Sequence, residues 1–175
     1  MPDYLFKLAK TRPEILEYFN LRHKIFVEEQ RIFKSDDIDA IDKIAHPIIA
    51  VKCDASSLAV FGVVRIYEAE PRLWYGGRLG THPDRRKGWQ IGKGLIYKAV
   101  TTANTWGCDR FLATVQIQNV RFFQRLHWES LEETEIHGIT HHLMQADLNY
   151  YPAGSEIRPT LLEYSRASRQ EIFYT

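Results

Sequence analysis

Between Leu79 and Ile96 the chain reads Leu-Gly-Thr-His-Pro-Asp-Arg-Arg-Lys-Gly-Trp-Gln-Ile-Gly-Lys-Gly-Leu-Ile, and little else in its 175 residues limits the possible folds as strongly. An apolar strand ends at a proline, passes through a basic turn punctuated by glycine, and opens directly into an amphipathic helix. Such a turn points several backbone N–H groups at one spot before a helix N-terminus. Unpaired amides, the positive end of the helix dipole and nearby Arg and Lys side chains then make an anion site suited to phosphate. Gly88 and Gly92 admit positive φ and close approach of a ligand to the backbone. The competing reading is an ordinary strand–loop–helix connection with a solvated charge cluster. The segment is not a P-loop, because Lys93 is followed by Gly94 and no Ser or Thr is placed to hold magnesium. Nor is it the G-x-G-x-x-G turn of a dinucleotide fold.

The length suits a single core rather than two domains. We assign residues 1–150 to one domain and 151–175 to a C-terminal extension. With 23 basic and 22 acidic residues the net charge is +1, so no whole-molecule field attracts nucleic acid and any anion site is local. Cys53 and Cys108 lack C-x-x-C spacing, which fits a reduced, cytoplasmic protein without a disulfide framework. No stretch approaches the roughly 20 apolar residues of a membrane span, and the first residues lack the pattern of a signal peptide.

Along the chain, a short strand is expected at 4–9. Thr11 and Pro13 open a helix whose inward face carries Ile15, Tyr18, Phe19, Arg22, Ile25 and Phe26. The acidic run 35–42 reads as an irregular connection. Strands follow at about 47–53, 58–68 and 73–81, then a helix at about 91–106 stopped by Gly107. A buried strand at 110–116, a short helix at 119–127 and two strands around Gly138 complete the pattern. From Pro152 the chain is expected to lie across the surface. This order implies an α/β or α+β layered domain with a mixed sheet.

Three segments together resemble the GCN5-related N-acetyltransferases (GNAT). Thr81-His82-Pro83 and Lys87–Leu95 are similar to the family's V-x-P strand end and R-G-x-G-I-G-x-x-L pyrophosphate loop, with Lys87 for the arginine and Gln90 for the middle glycine. Gln118–Trp128 is similar to its N-x-x-(A)-x-x-F-Y-x-K-x-G-F segment, shortened. Leu21–Gln30 resembles the R-x-x-V-F-V-x-E-Q helix of a branch that includes, more distantly, acyl-homoserine-lactone synthases. The closing His137-Gly138…His141-His142-Leu143-Met144 pattern is similar to a nitrogen-starvation-associated subgroup.

The resemblance implies a mostly antiparallel central sheet flanked by helices, and acetyl-CoA as co-substrate for an N-acetyltransferase acting on a small-molecule amine. It places pantetheine along the strand at Leu79, Gly80 and Thr81, and pyrophosphate on Lys87, Gly88, Trp89, Gln90, Ile91, Gly92 and Lys93. Asn119, Phe122 and Phe123 fall beside the cofactor's far arm. Asn119 reads equally as a helix N-cap, and Trp89 as a surface residue.

Direct attack of an amine on the thioester needs a base, oxyanion donors and an acid. Strand 73–81 lacks the family's carboxylate, and Phe123 stands where the family's tyrosine acid would be. Glu29 is therefore the expected acidic site residue, ahead of Glu68 and Glu70. His142, or His141 by the alternation, is the expected imidazole in the acceptor cleft. Arg22, Phe26 and Gln30 are expected on the acceptor side, Arg22 being either structurally paired or aimed at an anionic acceptor. No metal is expected, since His137, His141 and His142 scatter over both faces of a hairpin. Cys108 reads as buried rather than nucleophilic, and a homodimer through the aromatic tail 171–174 is an open expectation. Two other functions compete: a CoA-binding or amine-sensing module that has lost catalysis, and an acyl-homoserine-lactone type synthase. The CoA loop argues against the latter, because such synthases mostly draw on a carrier protein.

Overall fold

The computed structural model describes residues 3–53 and 56–160. β1 (Tyr4–Leu8) leads into α1 (Arg12–Arg22), whose start is fixed by a reciprocal cap. Thr11 Oγ1 accepts from the Glu14 amide at 3.3 Å, and Glu14 Oε1 accepts from the Thr11 amide at 3.0 Å. The helix then widens into a π-helical segment, His23–Glu29, closed by the Gln30 amide donating to Ile25 O. Simple 3.6-residue spacing did not predict this widening.

β2 (His46–Lys52), β3 (Val60–Glu70) and β4 (Leu73–Thr81) form an antiparallel meander with β1 on the outside of β2. α2 (Gln90–Thr105) crosses over to β5 (Arg110–Gln116), which lies parallel to β4. α3 (Val120–Arg125) precedes the hairpin of β6 (Trp128–Ile136) and β7 (Ile139–Ala146), and β7 inserts between β5 and β6. The seven strands therefore make one mixed, mostly antiparallel sheet in the order β1-β2-β3-β4-β5-β7-β6.

Each face of the sheet carries its own core. On one side Ile15, Tyr18, Leu21, Ile25 and Phe26 pack on Ile49, Val60 and Val63. On the other, Ile91, Leu95, Ile96, Ala99 and Val100 of α2 pack on Ile48, Val64 and Ile66. Gly62 lets α2 settle against β3: a Cβ there would lie 2.5 Å from Ile91 Cγ2 and 2.7 Å from Leu95 Cδ1.

What opens the sheet is β4. It pairs with β5 only at Leu73–Tyr75 against Arg110–Leu112. Against β3, the step from Gly77 to Gly80 spans three residues while that from Arg65 to Val63 spans two. The extra residue is a bulge, and Arg78 within it has φ +52°. A bulge bends its strand and raises the local twist, so β4 and β5 part company beyond Tyr75.

Two boundaries differ from the sequence reading. Within the acidic segment, Ala40–Lys43 forms a 3-10 turn capped by Asp39. Tyr151, assigned to the extension, is 1% exposed; its hydroxyl donates to Leu126 O and accepts from Trp128 Nε1. Residues 152–160 do run over the surface, where Trp106 Nε1 donates to Glu156 O at 2.8 Å and Arg158 lies over the Trp74 ring. The aromatic tail 171–174 lies outside the described residues.

Candidate active site

At the splayed end of β4 the chain turns through Pro83–Arg85, where His82 Nδ1 accepts from the Asp84 amide at 3.2 Å. Two consecutive left-handed residues follow, Gly88 (φ +85°) and Trp89 (φ +62°). Trp89 is the N-cap of α2 but supplies no side-chain cap, and the first helical bond is Lys93 N to Trp89 O at 2.9 Å. The amides of Gln90, Ile91 and Gly92 therefore lack intrahelical acceptors, at the positive end of a 16-residue helix. Gln90 serves as well as glycine here because it occupies the first helical position rather than a left-handed one.

The cations around this nest have separate tasks. Arg86 is taken up: Nε donates to Thr81 O at 3.1 Å, and Nη1 and Nη2 grip the Glu29 carboxylate at 3.1 and 2.5 Å. Lys87 and Lys93 are exposed and have no partner among the described residues. Trp89 is 58% exposed, with its ring 4.7 Å from that of Phe122. A Cβ on Gly92 would sit 4.0 Å from Phe122, so the nest is floored by an aromatic ring.

A cleft of about 520 Å³ occupies the gap between β4 and β5, with lining residues on both faces of the sheet. On the α2 side its wall is apolar, including Ile96, Ala99, Val100, Phe111, Ala113 and Phe123. On the α1 side it is lined by Phe26, Gln30 and Phe33, and by the polar groups Arg65, Arg78, Tyr67, Tyr75, His137 and His141. No Asp or Glu lines the cleft among the described residues. Tyr67 and Tyr75 stack with centroids 5.8 Å apart, and burial pushes the Tyr67 phenol above its ordinary value.

Beneath the α1-side wall lies a network of three arginines and three aspartates. Arg22 is fully buried with every N–H engaged. Nε donates to Asp37 Oδ2 (2.7 Å), Nη1 to Asp42 Oδ1 (2.6 Å) and the Tyr18 hydroxyl, and Nη2 to Asp42 Oδ2 and Asp37 O. Arg65 forks onto Asp39 at 2.7 and 3.0 Å. Arg78 is the outermost member: Nη2 donates to Asp37 O at 2.9 Å, and its contacts with Asp37 and Asp39 carboxylates are 3.3 Å long.

The expected site residues sort accordingly. Leu79, Asn119, Phe123, Phe26 and Gln30 line the cleft. Asn119 makes no side-chain cap on α3, so the capping alternative is not what holds it there. Gly80 packs under Ile25 and Phe26, and Ile91 is buried in the α2-side core.

Three expectations need correction. Arg22 has no surface and no donor left for an acceptor; it is a structural strut. Glu29 does not line the cleft, because its carboxylate is drawn outward to Arg86. His142 hydrogen-bonds Ser130 Oγ at 2.6 Å and does not line the cleft, whereas His141, paired with Gln116 across the ladder, does. Sequence reasoning missed Arg65, Arg78, Tyr67 and Tyr75. Arg65 was detectable as a lone charge inside the apolar run Val63-Val64-Arg65-Ile66, and Arg78 as an arginine flanked closely by glycines.

Cys108 is buried, and burial pushes its thiol up to about 12, so it is no nucleophile. No described helix is long and apolar enough to cross a membrane.

The architecture has many relatives among solved structures. Escherichia coli ElaA superposes with a TM-score of 0.68 at 21% identity, covering 84% of this chain and 100% of that one. An acyl-CoA N-acyltransferase from Pseudomonas aeruginosa gives 0.63 at 18% identity, over 84% and 100%. BjaI, a CoA-dependent acyl-homoserine lactone synthase solved with SAM and isopentyl-CoA, gives 0.68 at 17%, over 95% and 99%. At these identities the likeness is one of fold. No curated protein matches in sequence. The model of the acetyltransferase (GNAT) family matches residues 14–128, from the first helix through both the nest and the β4–β5 gap, and the chain belongs to that family.

Proposed function

We propose that the protein transfers an acetyl or other acyl group from acyl-CoA to the amine of a small molecule by direct attack. The observation that carries this reading is that β4, the strand leading to the uncapped α2 N-terminus, parts from β5 beyond Tyr75. A pyrophosphate on the amides of Gly88–Gly92 leaves a pantetheine arm to run along Leu79 and Gly80, whose strand β5 has deserted. The thioester then lies in the cleft, where the bulged backbone around Arg78 offers amide donors for a developing oxyanion.

With no carboxylate lining the cleft among the described residues, His141 is the lining side chain best suited to take the amine's proton, directly or through water. Phe123 cannot protonate the leaving thiolate, so that proton comes from water or from Tyr67 or Tyr75. A CoA-binding sensor remains the second reading, favoured by the missing carboxylate and tyrosine. The presence of a nest does not separate an N-acetyltransferase from a lactone synthase, because a synthase of similar fold, BjaI, is CoA-dependent. The acceptor in either case is a small-molecule amine. Membership of the nitrogen-starvation subgroup rests on the closing histidine pattern alone.

Calorimetric titration of acetyl-CoA tests the proposal, with Gly92→Glu alongside. Space exists for the side chain, since the nearest atom to a Cβ there is 4.0 Å away. Micromolar binding in the wild type, weakened at least 100-fold by the glutamate, is expected. Binding indifferent to that charge removes the nest from the site.

A further inference from the structure

We propose that the amine acceptor carries a carboxylate and that Arg78, backed by Arg65, is its receptor on the α1 side of the cleft. This rests on the acyltransferase reading above and adds the chemical class of the acceptor. Four observations converge on it.

The first is donor supply. Arg22 spends all five of its N–H groups inside the network, but Arg78 does not: its Nη1 has no partner among the described residues. Arg65 lines the same wall, is 4% exposed, and its Nε is a buried donor with no acceptor.

The second is the distribution of acceptors. Asp42 is consumed at 2.6 and 3.0 Å by Arg22 and Asp39 at 2.7 and 3.0 Å by Arg65, which leaves Arg78 only 3.3 Å contacts with carboxylates. Arg78 is also held below its ordinary basicity, by burial first and then by Arg65 and Arg22. An incoming anion is thus favoured where a second cation is not. The third observation agrees: among the described residues no carboxylate lines the cleft, so a polyamine would find no lining group to neutralise its remote charges.

The fourth is backbone strain. Arg78 holds φ +52° in the bulge, a conformation that glycine or asparagine adopts at lower cost. Bulges re-aim side chains, and this one directs a guanidinium over the Phe33 ring, 4.4 Å from its centroid, at the cleft wall. A guanidinium is a planar fork that matches a carboxylate with two parallel bonds. The reaction would form an N–C bond to the acyl carbon and break its C–S bond. The amine's proton ends on the CoA thiol, and the products are an N-acyl amino acid and free CoA.

The test is a matched panel titrated by calorimetry into wild-type protein saturated with CoA. It comprises the twenty α-amino acids, β-alanine and γ-aminobutyrate, each beside the amine left by its decarboxylation. At least one acid should bind 10-fold more tightly than its paired amine. Arg78→Asn, which removes the charge while suiting the left-handed backbone, should shrink that preference to about threefold or less. Arg78→Lys should keep an intermediate preference. The proposal is overturned if no acid outbinds its amine, or if Arg78→Asn weakens acid and amine equally. Failure of the acyltransferase reading looks different: acetyl-CoA would not bind the wild type, or a tightly bound acid would release no thiol from it.

Discussion

Arg22 shows how one buried charge organises its surroundings. It sits on the inward face of α1 where an apolar residue would be ordinary, and both of its carboxylate partners, Asp37 and Asp42, are buried with it. Removing one member of such a set leaves an uncompensated buried charge, which costs about 3–5 kcal/mol. Arg22→Met should therefore lower the urea midpoint by that equivalent, and a change under about 1 kcal/mol would show that the aspartates find other partners. The pairing was legible in the sequence only as a need: an arginine at a core position must meet an anion. Which anion it meets was not, because Asp37 and Asp42 reach it through a loop with no periodicity to read. The two cysteines divide in the same way. Cys108 is buried with its thiol pushed up to about 12, whereas Cys53 is exposed. Iodoacetamide at pH 8 should label the native protein once, at Cys53, and Cys53→Ser should abolish rapid labelling.

The elements meet at two junctions. The first is the start of α1, where Glu14 is nearly buried, receives Lys7 at 2.5 Å and accepts from the Thr11 and Lys10 amides. Burial alone would raise its pKa, but these contacts together hold it below the ordinary carboxylate range. Because the unfolded chain then binds the proton more readily, Glu14 stabilises the fold above its ordinary pKa of roughly 4. That contribution is lost as pH falls through the lowered native value. The stability difference between wild type and Glu14→Gln should accordingly be about 1 kcal/mol at pH 6 and shrink toward pH 3 in urea titrations; a difference independent of pH would assign the effect to shape alone. The second junction is the Glu29–Arg86 pair, which ties the end of the π-helical segment to the nest. As an exposed pair it contributes little to global stability. Its effect should be seen in ligand binding: Glu29→Gln should weaken acetyl-CoA several-fold while leaving the urea midpoint almost unmoved. Neither the π widening nor this tie was readable from the sequence. The first depends on packing both Ile25 and Phe26 beneath β4, and the second on two side chains 57 positions apart.

Over the whole molecule, element order and strand identity were legible because they rest on local signals: a cap at Thr11, the turn at Gly88, a stop at Gly107 with φ +90°. The bulge at Arg78 and the parting of β4 from β5 were not, since they express a mismatch between neighbouring strands. The end of the folded unit belongs to the same class. Tyr151 follows the last strand in an irregular stretch and looks like the beginning of a tail, yet it is packed near Phe123, Leu126 and Trp128 in the α2-side core. Among the described residues β6 and β7 otherwise pack chiefly on β5 and α3, so this phenol locks the outer hairpin to the rest of the sheet. Its burial also pushes its pKa up to about 12. Tyr151→Ala should therefore cost about 3–5 kcal/mol, the range for deleting a buried aromatic side chain. Arg158→Ala should lose far less, because its contacts with Glu68 and the Trp74 ring are partly exposed. Chemical denaturation of both variants decides the point. An Arg158→Ala as damaging as Tyr151→Ala would mean that the stretch after Tyr151 belongs to the folded unit, and a harmless Tyr151→Ala would mean that the hairpin stands without its lock.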